Sequence, residues 1–99
     1  SETARQRSGP AVSINTAARA SAELDIRGLE TLEAESVVEN YLDAASRAKL
    51  GTVTIIHGKG TGALRAAVHQ LLKKSRQVKS FRLGHYGEGE AGVTVVELK

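Results

Sequence analysis

The chain has 99 residues, with 14 Lys and Arg against 11 Asp and Glu for a formal charge of +3, and it contains no Cys. That length sets a single domain with a modest core, and the lack of cysteine excludes a disulfide framework, a Cys-based zinc site and a thiol nucleophile. No apolar run approaches the roughly 20 residues of a membrane span and the N-terminus lacks the apolar centre of a signal peptide, so no membrane partner and a cytoplasmic location are expected.

Residues 1–23 are rich in Ser, Ala and Arg and include Gly9 and Pro10. They read as a flexible linker or tail, docking a few residues at most through the Ala11-Val12-Ser13-Ile14 alternation. The opening Ser1, in place of Met, leads us to expect a longer parent chain. The folded unit is expected over 24–99. Leu24-Asp25-Ile26-Arg27-Gly28 alternates apolar with polar and ends in glycine, the pattern of a short strand and turn. From Thr31, read as an N-cap, apolar residues recur at Ala34, Val37, Val38, Tyr41, Leu42, Ala45 and Ala48, with Glu33 and Glu35 early, Arg47 and Lys49 late, and Gly51 as the stop. This predicts a helix whose charges complement its dipole. Thr52-Val53-Thr54-Ile55-Ile56 is β-branched throughout and predicts a second strand, followed at once by His57-Gly58-Lys59-Gly60-Thr61-Gly62. A second helix is expected from Ala63 to Ser75, with Leu64, Val68, Leu71 and Leu72 on its apolar face. Val78–Leu83 and Val93–Leu98 predict a closing hairpin across a loop with four glycines.

The order is β-α-β-α-β-β, so the first two strands should run parallel and bring Arg27-Gly28 and the glycine loop to one sheet edge, where open α/β sheets bind ligands. Charge sharpens that expectation. From Leu24 to Asp43 six acids (Asp25, Glu30, Glu33, Glu35, Glu39, Asp43) face one base, Arg27. From Ala44 to Gly87 nine bases (Arg47, Lys49, Lys59, Arg65, Lys73, Lys74, Arg76, Lys79, Arg82) meet no acid. A solvated helix face normally mixes signs, so the row Arg65, His69, Lys73 and Arg76 reads as a phosphate-binding surface. Aromatic residues are sparse, only Tyr41, Phe81 and Tyr86, which favours recognition of backbone and shape over base stacking.

Gly58, Gly60 and Gly62 alternate after a strand and open a helix, so backbone N–H groups can converge on an anion with Lys59 adding a point charge. The spacing departs from Walker and dinucleotide motifs, and a plain strand-to-helix turn also needs such glycines. His57 suits proton transfer by its ordinary pKa and equally suits holding the turn by hydrogen bonds. Asp25 is the one acid expected near the loop, as base, metal ligand or cap. Metal-assisted phosphodiester chemistry gathers several carboxylates, and Glu88 or Glu90 reaches the loop only if the last loop folds back.

Taken in order, Leu24-Asp25-Ile26-Arg27-Gly28, His57-Gly58-Lys59-Gly60-Thr61-Gly62-Ala63-Leu64-Arg65, and Gly87-Glu88-Gly89 before Gly92-Val93-Thr94-Val95-Val96 resemble the small MutS-related (Smr) domain over 24–99. Leu-Asp-x-Arg-Gly with Arg27 resembles the version at the C-terminus of the bacterial MutS paralogue that suppresses homologous recombination; stand-alone Smr proteins more often have His where Arg27 stands. The resemblance implies an α/β (α+β) two-layer sandwich, βαβαββ with a four-stranded mixed sheet, like the C-terminal domain of translation initiation factor 3. It implies nucleic-acid binding and endonuclease activity, DNA-nicking or RNA-cleaving, with Asp25, Arg27, His57, Gly58, Lys59 and Gly60 as functional positions. It also implies a bacterial parent that is a dimer with an ATPase domain, branched or duplex DNA as partner, and a link to ribosomal RNA on collided ribosomes.

The resulting expectation is a nicking domain. Arg27 and Lys59 meet the scissile phosphate, Gly58 and Gly60 allow close backbone approach, and Asp25 or His57 acts as base. Asp25 is the metal ligand if Mg²⁺ or another divalent ion serves, and the chain itself carries no cofactor. Arg65, His69, Lys73 and Arg76 hold the backbone. The alternative is a non-catalytic module that docks its parent on DNA or ribosomal RNA.

Overall fold

The structure, a computed structural model, describes residues 21–99; the expected linker up to residue 20, with its Ala11-Val12-Ser13-Ile14 segment, lies outside them. Among the described residues, six elements follow the expected order: β1 (Glu23–Asp25), α1 (Thr31–Arg47), β2 (Thr52–Ile56), α2 (Ala63–Lys74), β3 (Val78–Leu83) and β4 (Val93–Leu98). A 3₁₀ turn, Glu90–Gly92, leads into β4. Among the described residues no helix is long and apolar enough to cross a membrane.

The sheet order is β1-β2-β4-β3. β1 runs parallel to β2, whereas β4 lies antiparallel to both β2 and β3, so the sheet is mixed and the closing hairpin places its second strand in the middle. β2 and β3 therefore point the same way, and two right-handed crossovers in one direction put both helices on one face. Period two then decides which side chains they cover. Val53 and Ile55 of β2 and Val96 and Leu98 of β4 pack with Ile26, Ala34, Val38, Leu42, Ala45, Val68 and Leu72 into one core. A register shift between Val78 and Ser80 lets both Val78 and Phe81 turn to that core although they are three residues apart.

Three local expectations shift. The first strand ends at Asp25, with Ile26 N–H still donating to Ile56 O at 2.9 Å, so Arg27 and Gly28 form the turn and not the strand end. The N-cap of α1 is Glu30, one residue before Thr31, and it makes no side-chain cap bond. The stop of α1 is Lys49 and not Gly51. Lys49 takes φ 62° while Leu50 N–H donates to Ala45 O and Lys49 N–H to Ser46 O, a Schellman closure built on a non-glycine residue.

Candidate functional site

The parallel pairing of β1 with β2 brings their C-terminal ends together, and the two strand-to-helix turns enclose a cleft of about 750 Å³. One turn contributes Arg27 to Leu32, the other His57 to Arg65. Three cationic side chains, Arg27, Lys59 and Arg65, line it together with Glu30.

The glycines are where backbone geometry requires them. Gly58 has φ 80°, and a Cβ there would stand 3.3 Å from Arg27 Cγ, so the arginine stem lies directly over it. Gly62 is the N-cap of α2 at φ 88°, and a Cβ there would stand 3.1 Å from Arg65 Nη2. Arg65 thus folds back over the start of its own helix. The first turn of α2 carries no acid and its cap residue offers no side chain. Among the described residues the N–H groups of Lys59, Gly60, Thr61 and Gly62 donate to no protein group, while Ala63 N–H reaches Thr61 Oγ1 at 3.3 Å. From the other side, Gly92 O accepts from His57 N–H and Gly58 N–H at 3.1 and 2.9 Å and ties the loop to the start of β4.

Asp25 and Arg27 share one side of the turn as their parity implies. Arg27 Nε donates to Asp25 Oδ1 at 2.9 Å, Nη2 to Oδ2 at 2.6 Å, and Arg27 N–H to Oδ1 at 3.1 Å. The guanidinium beside it, with that backbone N–H, holds the Asp25 carboxyl below its ordinary value. Both partners are about half exposed, so solvent screens the pair and its effect is orientation rather than stability. A guanidinium has five N–H donors and this pairing uses two; both on Nη1 and one on Nη2 remain for an incoming oxyanion.

His57 is 4% exposed and does not open to the cleft as a free base. Its Nδ1 lies 2.9 Å from Gly58 O and its Nε2 2.8 Å from Thr94 Oγ1, so both ring nitrogens are engaged. His69 departs from the phosphate-binding row. Its Nε2 lies 2.8 Å from the same Thr94 Oγ1 and its ring packs 4.9 Å from Phe81, on the sheet side of α2. Burial first, then the neighbouring His57, Arg65 and Lys73, hold His69 below its usual pKa. Lys73 and Arg76 stand exposed as expected.

Among the described residues, two of the nine bases are already paired with acids. Arg47 meets Asp43 at 2.6 Å, and Arg82 grips Glu88 at 2.8 and 3.3 Å. Glu88, which also accepts from His85 N–H at 2.7 Å, is held down to about 2 and is spent on closing its own loop. Among the described residues no three His, Cys, Asp or Glu side chains converge as metal ligands. Asp25 has its two oxygens on Arg27, so these side chains do not form a ready cation site. The sequence reading missed Thr94, a strand residue flanked by valines, and Glu30, whose place at the cleft follows from the short turn that returns the chain to the sheet edge.

Residues 24–99 match the Smr domain family model. The chain is similar to the protein named Endonuclease MutS2 of Ruminiclostridium cellulolyticum, 59% identical over 88 residues, covering 89% of this chain and 11% of that protein. It is likewise similar to Endonuclease MutS2 of Pelotomaculum thermopropionicum, 60% identical over 87 residues, covering 88% of this chain and 11% of that protein. Among solved structures, the Smr domain of Thermus thermophilus MutS2 superposes with a TM-score of 0.76 at 45% identity, over 78% of this chain and 96% of that one. YdaL, a stand-alone small MutS-related protein from Escherichia coli, gives 0.75 at 25% identity, over 79% of this chain and 64% of that one. The chain therefore spans about a tenth of the length of the curated relatives it matches.

Proposed function

The chain belongs to the Smr domain family, and from that premise we propose that its cleft binds a nucleic-acid phosphate and nicks the strand that carries it, within a larger bacterial, cytoplasmic MutS2-like protein that acts on DNA recombination. The observation that carries this reading is the glycine loop over an uncapped α2. The residues whose N–H groups find no acceptor among the described residues, the start of α2, Lys59 and Arg27 with its unused donors all line one cleft.

In this mechanism Arg27 and Lys59 neutralise charge as it develops on the phosphate oxygens, and the loop N–H groups fix the phosphate for in-line attack by water, whose new P–O bond forms as the bond to the leaving sugar oxygen breaks and whose proton ends on that oxygen. Asp25 orients Arg27. Its lowered pKa and doubly occupied carboxylate favour that role over general base. A divalent ion, if used, would arrive with the substrate, and no step here depends on it. Lys73, Arg76 and the other bases of the acid-free block that meet no acid among the described residues then hold the flanking backbone.

One observation favours a second reading, a non-catalytic module that docks its parent on DNA or ribosomal RNA: Asp25 is paired with Arg27 and does not line the cleft, and both ring nitrogens of His57 are engaged. The test is nicking of supercoiled plasmid by the highly purified chain, alongside binding to the same DNA. Relaxed circles with the wild type, lost in Arg27→Ala and Lys59→Ala while circular dichroism stays native, support the nuclease. Binding with no relaxation selects the docking module.

A further inference from the structure

The Gly58 carbonyl is gripped from inside the fold by a chain of three side chains from three elements. Thr94 is fully buried, and its hydroxyl meets Nε2 of His57 and Nε2 of His69 at 2.8 Å each. Its register partner is Ile55, whose side chain is in the core, so Thr94 faces the helix layer directly beneath α2. A valine would fill this space without polar atoms. A buried hydroxyl is retained at no loss only where its partners are satisfied.

With both imidazoles neutral, the protons in this cluster have one consistent arrangement. Gly58 O only accepts, so His57 Nδ1, 2.9 Å away, carries a hydrogen. In a neutral ring that leaves Nε2 as an acceptor, and the Thr94 O–H must point to it. Thr94 has one hydroxyl hydrogen and it is then used, so the contact with His69 is closed by His69 Nε2–H donating to Thr94 Oγ1. The suppressed basicity of His69 agrees with a neutral ring there.

We propose that Thr94 and His69 are positioning residues that lock His57 in its Nδ1–H tautomer and so fix the peptide that presents Lys59 N–H to the bound phosphate. The link is peptide planarity. Gly58 C=O and Lys59 N–H belong to one trans peptide and point in opposite directions, so a carbonyl held toward the buried ring sends the N–H away from it, to the cleft side. Gly92 O holds the preceding N–H from the front, so the loop is fixed on both sides. This role rests on the reading of the glycine loop as the phosphate site; the proton arrangement does not.

Long-range ¹H–¹⁵N correlation spectra of the free chain test the arrangement first. His57 is expected with Nδ1 protonated and Nε2 bare, and His69 with Nε2 protonated; a His57 protonated at Nε2 alone overturns the relay. Thr94→Val keeps the shape and removes the hydroxyl. It should move the Lys59 and Gly60 amide resonances and lower nicking, or DNA affinity if nicking is absent in the wild type, on the order of 10²-fold, with Thr94→Ser restoring both. Unmoved Lys59 and Gly60 amides in a folded Thr94→Val chain overturn the positioning role. If Thr94→Val does not fold, His69→Phe takes its place, and His69→Gln, whose amide can still donate to Thr94, should rescue it; equal behaviour of Phe and Gln overturns the proposal. A wild type that neither binds nor nicks defeats the phosphate reading alone, because the tautomers are read without nucleic acid.

Discussion

The two strand-to-helix turns at the sheet edge are the same motif with opposite electrostatics. The first turn enters α1, which carries Glu33 in its opening turn and Glu30 at its cap, so carboxylates answer the positive end of that helix from within the chain. The second enters α2 through a left-handed glycine with no acid behind it, and its opening N–H groups and dipole are left for an outside anion. The glycines differ too. Gly28, at φ 88°, has open space where a Cβ would stand, whereas Gly58 lies under the Arg27 stem. Topology puts both turns at one edge, and side chains leave only one of them suited to an outside anion.

The largest test of this contrast removes the charge from the second turn. Lys59→Ala should lower nicking by roughly 10²–10³-fold, equivalent to about 3–4 kcal/mol, with the fold kept, because an exposed loop lysine buries little. Equal losses in binding and nicking would reduce Lys59 to an anchor. Next, Ala63→Glu gives α2 the acid that α1 already has. It should weaken DNA binding on the order of tenfold while stabilising the helix by about 0.3–1 kcal/mol in thermal denaturation. Stronger or unchanged binding would dissolve the contrast.

The glycines offer a finer cut. Gly58→Ala should cost about 1–3 kcal/mol of stability and also reduce nicking, since it pushes on Arg27; Gly28→Ala should cost about 1–2 kcal/mol and leave DNA affinity nearly intact. Denaturant melts with paired binding measurements separate the two. The smallest effect concerns pH. His69 has its folded pKa below the unfolded value near 6.5, so its contribution is fully present above that value and is lost as pH falls through the folded one. Stability should decline on acidification below about pH 6.5, and His69→Gln should flatten that part of the profile.

Much of this was legible because it is local. The β-branched run at 52–56, the period of α2 and the three alternating glycines specify a strand, a turn and a helix with little help from the rest of the chain, and parity alone places Asp25 beside Arg27. What was not legible depends on register. His57 and His69 meet at Thr94, which lies 37 and 25 residues from them, only because β4 inserts between β2 and β3 and pairs Ile55 with Thr94. A threonine among valines carries no sign of that in the sequence. Likewise a count of nine bases could not reveal that Arg47 and Arg82 are already paired with acids that come from α1 and from the last loop.

We expect an anion to settle at the second turn and not the first. A ¹⁵N-labelled chain titrated with a short DNA duplex tests it most directly. The largest amide shifts are expected at Lys59, Gly60, Thr61, Gly62 and Ala63, accompanied by the Arg27 side-chain Nε–H, with Thr31, Leu32 and Glu33 little changed. Shifts centred on the start of α1, with the glycine loop silent, would contradict it.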